Sequence, residues 1–237
     1  MKIVFVADAH LKGASDPNLK SLADFLDGLG RVDTLVVLGD LFDFWTGANE
    51  KVYKEYRIAL ESLMGLKKRG VNIIYLEGNH DFSMGEFFTK ELGAGVHPGF
   101  FEWTLDGKRV LLAHGDTVSM TRGYALWRRF LRSPVFRFIT RVAPPGFVWT
   151  TANLLSRKSR KYNQEGNIVE ERLREFARER IGSGFDTVIL AHSHVAGVHK
   201  EEANGRKGAY ANPGSWAGGG SYLVYEKGAL KVARGKR

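Results

Sequence analysis

Five short apolar runs in this chain end the same way. Ile3–Ala7 is followed by Asp8-Ala9-His10, Leu35–Leu38 by Gly39-Asp40 with Asp43 beyond, and Val71–Leu76 by Gly78-Asn79-His80-Asp81. Val110–Ala113 is followed by His114-Gly115-Asp116, and Thr187–Ala191 by His192-Ser193-His194. In an extended chain residues i and i+2 project to one side, so His192 and His194 reach a common point just past their strand. A lone Asp after a strand is an ordinary turn former. Five strand ends carrying Asp, Asn and His are another matter, because polar groups that converge must be satisfied by something. In open α/β sheets the carboxyl ends of strands are where ligands bind.

Helical patterns separate the first strands. Pro17–Leu29 carries Leu19, Leu22, Phe25, Leu26 and Leu29 on one face, and Val52–Arg69 reads as one helix ending in Lys67, Lys68, Arg69 and Gly70. This β-α-β-α-β order implies an α/β fold with parallel strands and right-handed crossovers. Met84–Leu92 is expected to be helical, and Phe101–Leu105 and Val110–Ala113 to pair across Asp106-Gly107. Ile168–Ile181 fits a crossover helix, while Gly208–Ala211 and Tyr222–Glu226 are expected to close the fold as antiparallel strands.

With 237 residues, 43% of them hydrophobic, the chain can bury a proper core, and residues 1–237 are read as one domain. It has no cysteine, so thiolate chemistry and Cys-held metals are excluded, and any metal must be held by oxygen and imidazole. The opening MKIVFVADAH reads as mature sequence, and no uncharged run reaches the roughly 18–20 residues of a membrane span. Charge is concentrated: Thr117–Gln164 holds ten lysines and arginines and no acidic residue, more than the whole chain's net +9. Within it Leu126–Val142 has apolar residues at helical spacing with arginines between them, Pro144-Pro145-Gly146 makes a turn, and Phe147–Arg160 fits a second helix. Residues 120–165 are therefore expected to form an inserted basic helical hairpin.

Carboxylates and imidazoles without sulfur suit two divalent cations of the Mn, Fe, Zn or Mg group. One carboxylate must bridge them, and Asp40 is the candidate, being the acidic ligand with least company. The ordered blocks D-x-H, G-D-x-x-D, G-N-H-D, H-G-D and H-x-H resemble the calcineurin-like metallophosphoesterase superfamily over nearly the whole chain. The resemblance implies a β-sandwich flanked by helices, here with the hairpin as a lid. It also implies Asp8, His10, Asp40 and His194 on one ion, and Asp40, Asn79, His114 and His192 on the other, with Mn²⁺ the expected metal and Fe²⁺, Zn²⁺ or Mg²⁺ alternatives. His80 would stabilise or protonate the leaving oxygen, with Asp43 fixing its tautomer and raising its pKa. Where the last block usually opens with glycine this chain has Ala191; a positive φ there would cost alanine about 1 kcal/mol. Phe44 in GDLFDFW replaces the arginine of protein phosphatases, which argues against that activity.

GDLFDFW, GNHDF, HGDTV with Tyr124 beyond, and SRKSRKYN together resemble the UDP-2,3-diacylglucosamine diphosphatase family. That implies hydrolysis of a nucleotide-diphosphate lipid to UMP and acylated glucosamine 1-phosphate, in lipid A synthesis, in the cytoplasm at the inner-membrane surface. Asn79, Arg122, Tyr124, Arg157, Lys158, Lys161 and Asn163 are the candidate substrate contacts, arginines meeting phosphate and apolar lid residues meeting acyl chains. His80 departs from the G-N-R-D of the best-known members. No obligatory protein partner and no nucleic-acid target are expected. A general phosphodiesterase or nuclease would use the same centre and read the basic stretch as a backbone footprint, and a non-catalytic scaffold would need neither the ligands nor His80.

Overall fold

The computed structural model describes residues 1–47, 50–118, 120–143 and 166–235. β1 (Lys2–Val6), β2 (Thr34–Val37) and β4 (Asn72–Leu76) lie side by side and parallel, as the alternating pattern requires. They belong to a six-stranded sheet completed by β6 (Gly95–His97) on one side and by β12 (Ser221–Glu226) and β13 (Ala229–Arg234) on the other. A five-stranded sheet runs β10 (Gly197–Ala203), β11 (Arg206–Asn212), β9 (Thr187–Leu190), β8 (Lys108–Ala113), β7 (Phe101–Leu105). A small parallel pair joins β3 (Trp45–Thr46) to β5 (Asp81–Phe82).

Alternation along the strands explains the layering. From β1, Ile3 and Phe5 enter a core shared with Leu112, Ile189, Ala211 and Leu223, which lies between the two sheets. Val4 and Val6 point the other way, onto Leu19, Leu22 and Leu26 of α1 (Pro17–Gly28) and Leu63 and Leu66 of α3 (Arg57–Lys68). On the far side Leu111, Val188 and Leu190 cover Leu173, Ala177 and Ile181 of the helix Gly166–Gly182. Strands buried on both faces read as continuous apolar runs, which is why they were legible as sequence. Each fully buried leucine contributes about 1.5–3 kcal/mol relative to exposure. Asp16 caps α1 by accepting from the Asn18 amide at 2.9 Å, with Pro17 in the first turn.

Several expectations are corrected. Val52–Arg69 is two helices, α2 (Glu50–Glu55) and α3, parted at Tyr56, whose buried hydroxyl donates to the Phe44 carbonyl. Leu126–Val142 is also two, α4 (Arg122–Leu131) and α5 (Pro134–Val142), because Ser133 caps a new helix by accepting from the Phe136 amide and Pro134 starts it. Met84–Leu92 holds a π-helical turn at Phe87–Glu91. Gly208–Ala211 lies in β11, antiparallel to β10 but parallel to β9, whereas Tyr222–Glu226 is antiparallel to β1 as expected. The hairpin's second half, Phe147–Arg160, lies outside the described residues, so the described part of the insert is α4 and α5. We label the helix Gly166–Gly182 α6.

Candidate metal centre

The carboxyl ends of β1, β2, β4, β8 and β9 meet at one end of the sandwich and bring their polar residues together. The loops after β1 and β2 are zipped by main-chain bonds, the Asp8 amide to the Gly39 carbonyl at 3.2 Å and the His10 amide to the Asp40 carbonyl at 3.0 Å. Two glycines permit the close approach. A Cβ at Gly78 would collide with the Asp40 carboxylate, and one at Gly39, where φ is +83°, would lie 2.8 Å from the His114 ring. Asp8, His10, Asp40, His192 and His194 all adopt positive φ without being glycine. Such backbone costs of order 1–3 kcal/mol per residue and clusters at functional sites. Ala191 does not share it, so the alanine there carries no such penalty.

The side chains form two clusters. In the first, Asp8 Oδ1 lies 3.3 Å from His194 Nε2 and 3.7 Å from His10 Nε2, and the two imidazoles approach to 3.4 Å. In the second, His114 Nε2 lies 3.4 Å from Asp40 Oδ2, 3.2 Å from Asn79 Oδ1 and 3.2 Å from His192 Nδ1. The same Asp40 oxygen is 4.0 Å from His10 Nε2, so it faces both clusters, while its Oδ1 accepts from the His80 amide at 2.9 Å. Asp8, His10 and His194 could hold one ion, and Asp40, His114 and His192 another.

This donor set fits divalent cations. Asp8 Oδ1, which faces His10 and His194, is buried without a hydrogen-bond partner, an expensive state unless something else is bound. Ring nitrogens 3.2–3.4 Å apart match the edge of a coordination shell with bonds of about 2.0–2.1 Å. His114 Nδ1 donates to the Leu38 carbonyl at 2.7 Å, which leaves Nε2 as its metal-facing atom.

The charges are arranged accordingly. Burial pushes the pKa of His10 and of His192 down to about 4, so both are neutral imidazoles near pH 7. Burial would raise Asp40, but His114, His80 and His10 outweigh it and hold Asp40 well below the ordinary range; Asp8 is lowered similarly, chiefly by His194. Burial also opposes protonation of His114, yet the carboxylates of Asp40, Asp8 and Asp116 win and raise its pKa.

His80 and Asp43 are adjacent through the backbone: His80 Nδ1 donates to the Asp43 main-chain carbonyl at 2.9 Å. A carbonyl only accepts, so this bond sets the tautomer. The Asp43 carboxylate lies 3.9 Å from His10 Nδ1. Tyr124 donates its hydroxyl to Asp116 at 2.9 Å, and Arg122 is exposed at the start of α4. Arg157, Lys158, Lys161 and Asn163 lie outside the described residues.

Sequence reasoning missed several supports. Asp81 gathers the Asp40 and Gly78 amides at 2.9 Å, the Leu41 amide at 2.7 Å and the Tyr75 hydroxyl at 2.6 Å, while burial and then Asp40 push its pKa up to about 7. Ser215 donates to the Asp8 carbonyl at 2.8 Å, which ties the turn after β11 to the loop after β1. Two arginines of the insert are tied down: Arg128 of α4 to Asp116 at 3.3 Å, and Arg132, the C-cap of α4, to the Gly78 carbonyl at 3.0 Å and Glu77 at 3.4 Å. Arginines in an acid-free stretch gave a signal for anion contact but none for these internal partners.

The sequence matches the calcineurin-like phosphoesterase family profile over residues 1–196. A protein of Psychromonas ingrahamii named UDP-2,3-diacylglucosamine hydrolase is 25% identical over 98% of this chain and 96% of its own length. Proteins of the same name from Pseudomonas savastanoi pv. phaseolicola and Pseudomonas aeruginosa are each 30% identical, over 90% and 91% of this chain and 88% and 91% of their own. A solved archaeal phosphodiesterase covers 98% of this chain and 99% of its own at 14% identity, with a TM-score of 0.49.

Proposed function

This chain belongs to the calcineurin-like phosphoesterase family, and from that membership we propose that it is a dimetal-dependent hydrolase that cleaves the diphosphate of UDP-2,3-diacylglucosamine to UMP and 2,3-diacylglucosamine 1-phosphate. The observation that carries the chemistry is the pair of clusters sharing one Asp40 oxygen. Asp8, His10, Asp40 and His194 hold one ion; Asp40, Asn79, His114 and His192 hold the other. When bound, two such cations, with Mn²⁺ the expected pair, activate water and neutralise charge at phosphorus. His80 offers a ring nitrogen within 4.8 Å of ligand atoms of His10 and Asp40. With Nδ1–H donated to the Asp43 carbonyl, Nε2 of the neutral ring is an acceptor, so His80 would give a proton from Nε2 to the leaving oxygen only as the imidazolium, which it becomes by taking a proton from solvent.

The substrate reading rests on the insert together with the relatives' shared name. Val135, Phe138, Ile139 and Val142 sit at i, i+3, i+4 and i+7 of α5 and face outward, Val135 at 62% exposure and Phe138 at 66%. Arg137 and Arg141 flank that stripe. Apolar residues with cations between them suit a lipid-linked phosphate and the surface of an anionic membrane; no helix among the described residues is long and apolar enough to cross one. Residues 120–165 serve as the lid, with Arg122, Tyr124, Arg157, Lys158, Lys161 and Asn163 its contacts to substrate.

The test is incubation of the Mn²⁺-loaded protein with UDP-2,3-diacylglucosamine beside bis-(p-nitrophenyl) phosphate, each with and without chelator. Chelator-sensitive release of UMP, far faster than hydrolysis of the simple diester, is the expected result. His80, standing where the best-known members carry arginine, favours one second reading, a general phosphodiesterase. Equal rates on the two substrates would establish that reading instead.

A further inference from the structure

A buried polar knot behind the last strand end takes no part in the chemistry above. Glu170 of α6 accepts at Oε2 from Ser193 Oγ at 2.6 Å, from the Tyr210 hydroxyl at 3.0 Å and from Asn212 Nδ2 at 3.3 Å. All four residues are buried. Asn212 Nδ2 is also 2.8 Å from Ser193 Oγ and 3.3 Å from the Ala191 carbonyl, so the knot grips the end of β9 as well as the turn beyond it. Ser193 stands between His192 and His194, whose φ values are +71° and +65°. A turn with two left-handed, non-glycine residues persists only where its surroundings over-determine it. The imidazoles face the clusters, and the hydroxyl between them reaches back to Glu170.

We propose that Glu170 is a positioning residue for the metal centre: through Ser193 it pins the His192-Ser193-His194 turn so that each imidazole faces a different ion. This rests on the two-metal reading above. The carboxylate is specifically suited, because one oxygen takes three donors in charge-assisted bonds. Its Oε1 is buried with no hydrogen-bond partner, so an amide there would place an NH₂ group where nothing accepts it.

The test is equilibrium Mn²⁺ binding, with the exchange-coupled EPR signal of a Mn²⁺ pair and the melting temperature of metal-free protein as companion readouts. Wild type should bind two ions. Glu170→Gln and Ser193→Ala should bind about 10- to 100-fold more weakly, as removal of outer partners of a metal site typically does, and lose the coupled signal at Mn²⁺ levels that saturate wild type. Ser193→Thr, which keeps the hydroxyl, should bind like wild type. Wild-type affinity and coupling in Glu170→Gln would overturn the proposal alone, as would a lowered melting temperature with unchanged affinity in the folded variant. Fewer than two ions on wild type would overturn the two-metal reading and this proposal with it.

Discussion

The strand-end clusters and the helical insert break the same rule in opposite directions. Folded chains keep ionisable groups out and large apolar groups in, with exceptions that carry meaning. At the strand ends, Asp8, His10, Asp40 and His114 are buried. On the insert, Leu126 is 70% exposed and Phe138 66%. Buried carboxylates facing imidazole nitrogens fit a cation; exposed apolar residues among arginines, on the proposed reading, suit an amphipathic ligand. The first inversion is held by a dense lattice of main-chain bonds, glycine contacts and the Asp81 hub. The second is held where α4 meets the sheet, through Arg128 on Asp116 and Arg132 on Gly78 and Glu77. If, as proposed, the strand ends carry the chemistry and the insert the substrate choice, variants in the two regions should divide along that line.

The largest effect belongs to Asp40→Asn. Asparagine keeps an oxygen for the His80 amide but removes the charge that faces His10 and His114. Both ions should weaken together, well beyond the about 10- to 100-fold typical of an outer partner, and turnover should vanish on every substrate. Metal analysis by inductively coupled plasma after gel filtration checks this; two ions retained would mean that Asp40 is not shared.

His80→Ala comes next and separates binding from chemistry. The His80 main-chain amide still holds Asp40, so metal content should stay at the wild-type level. Turnover should fall about 10²–10⁴-fold, the usual contribution of a positioned acid or base. Loss of an ion would instead make His80 a ligand, since it also lies within reach of His10 and Asp40.

The same division explains what the sequence disclosed. The ligands were legible because each follows its strand by one to four residues and strands buried on both faces announce themselves. The conformation of those ligands was not: left-handed backbone at Asp8, His10, Asp40, His192 and His194 has no glycine to mark it. Glu170 was hidden for another reason. It lies on a helix among Glu171, Glu175 and Glu179, all alike in sequence, and its burial is decided by packing against β9 and β11. The break between α4 and α5 did have a signal, Ser133-Pro134, but apolar periodicity ran across it and the stronger pattern won. For the break at Tyr56 no local signal existed. β10 and β13 were missed because their alternation is half polar, which reads as loop.

The smallest effect tests the insert. Phe138 is two-thirds exposed, so Phe138→Glu removes little packing and should leave the fold within about 0.5 kcal/mol of wild type. If acyl chains cover this stripe, the substitution removes one buried aromatic contact, worth about 1.5–3 kcal/mol, and lowers kcat/KM for UDP-2,3-diacylglucosamine roughly 10- to 100-fold. Hydrolysis of bis-(p-nitrophenyl) phosphate should be untouched, because nothing at the strand ends changes. The two rates measured on one preparation form the control, since a misfolded variant loses both. Equal loss on both substrates would tie the insert to the metal centre itself, and no loss on either would leave the exposed stripe without a role in substrate choice.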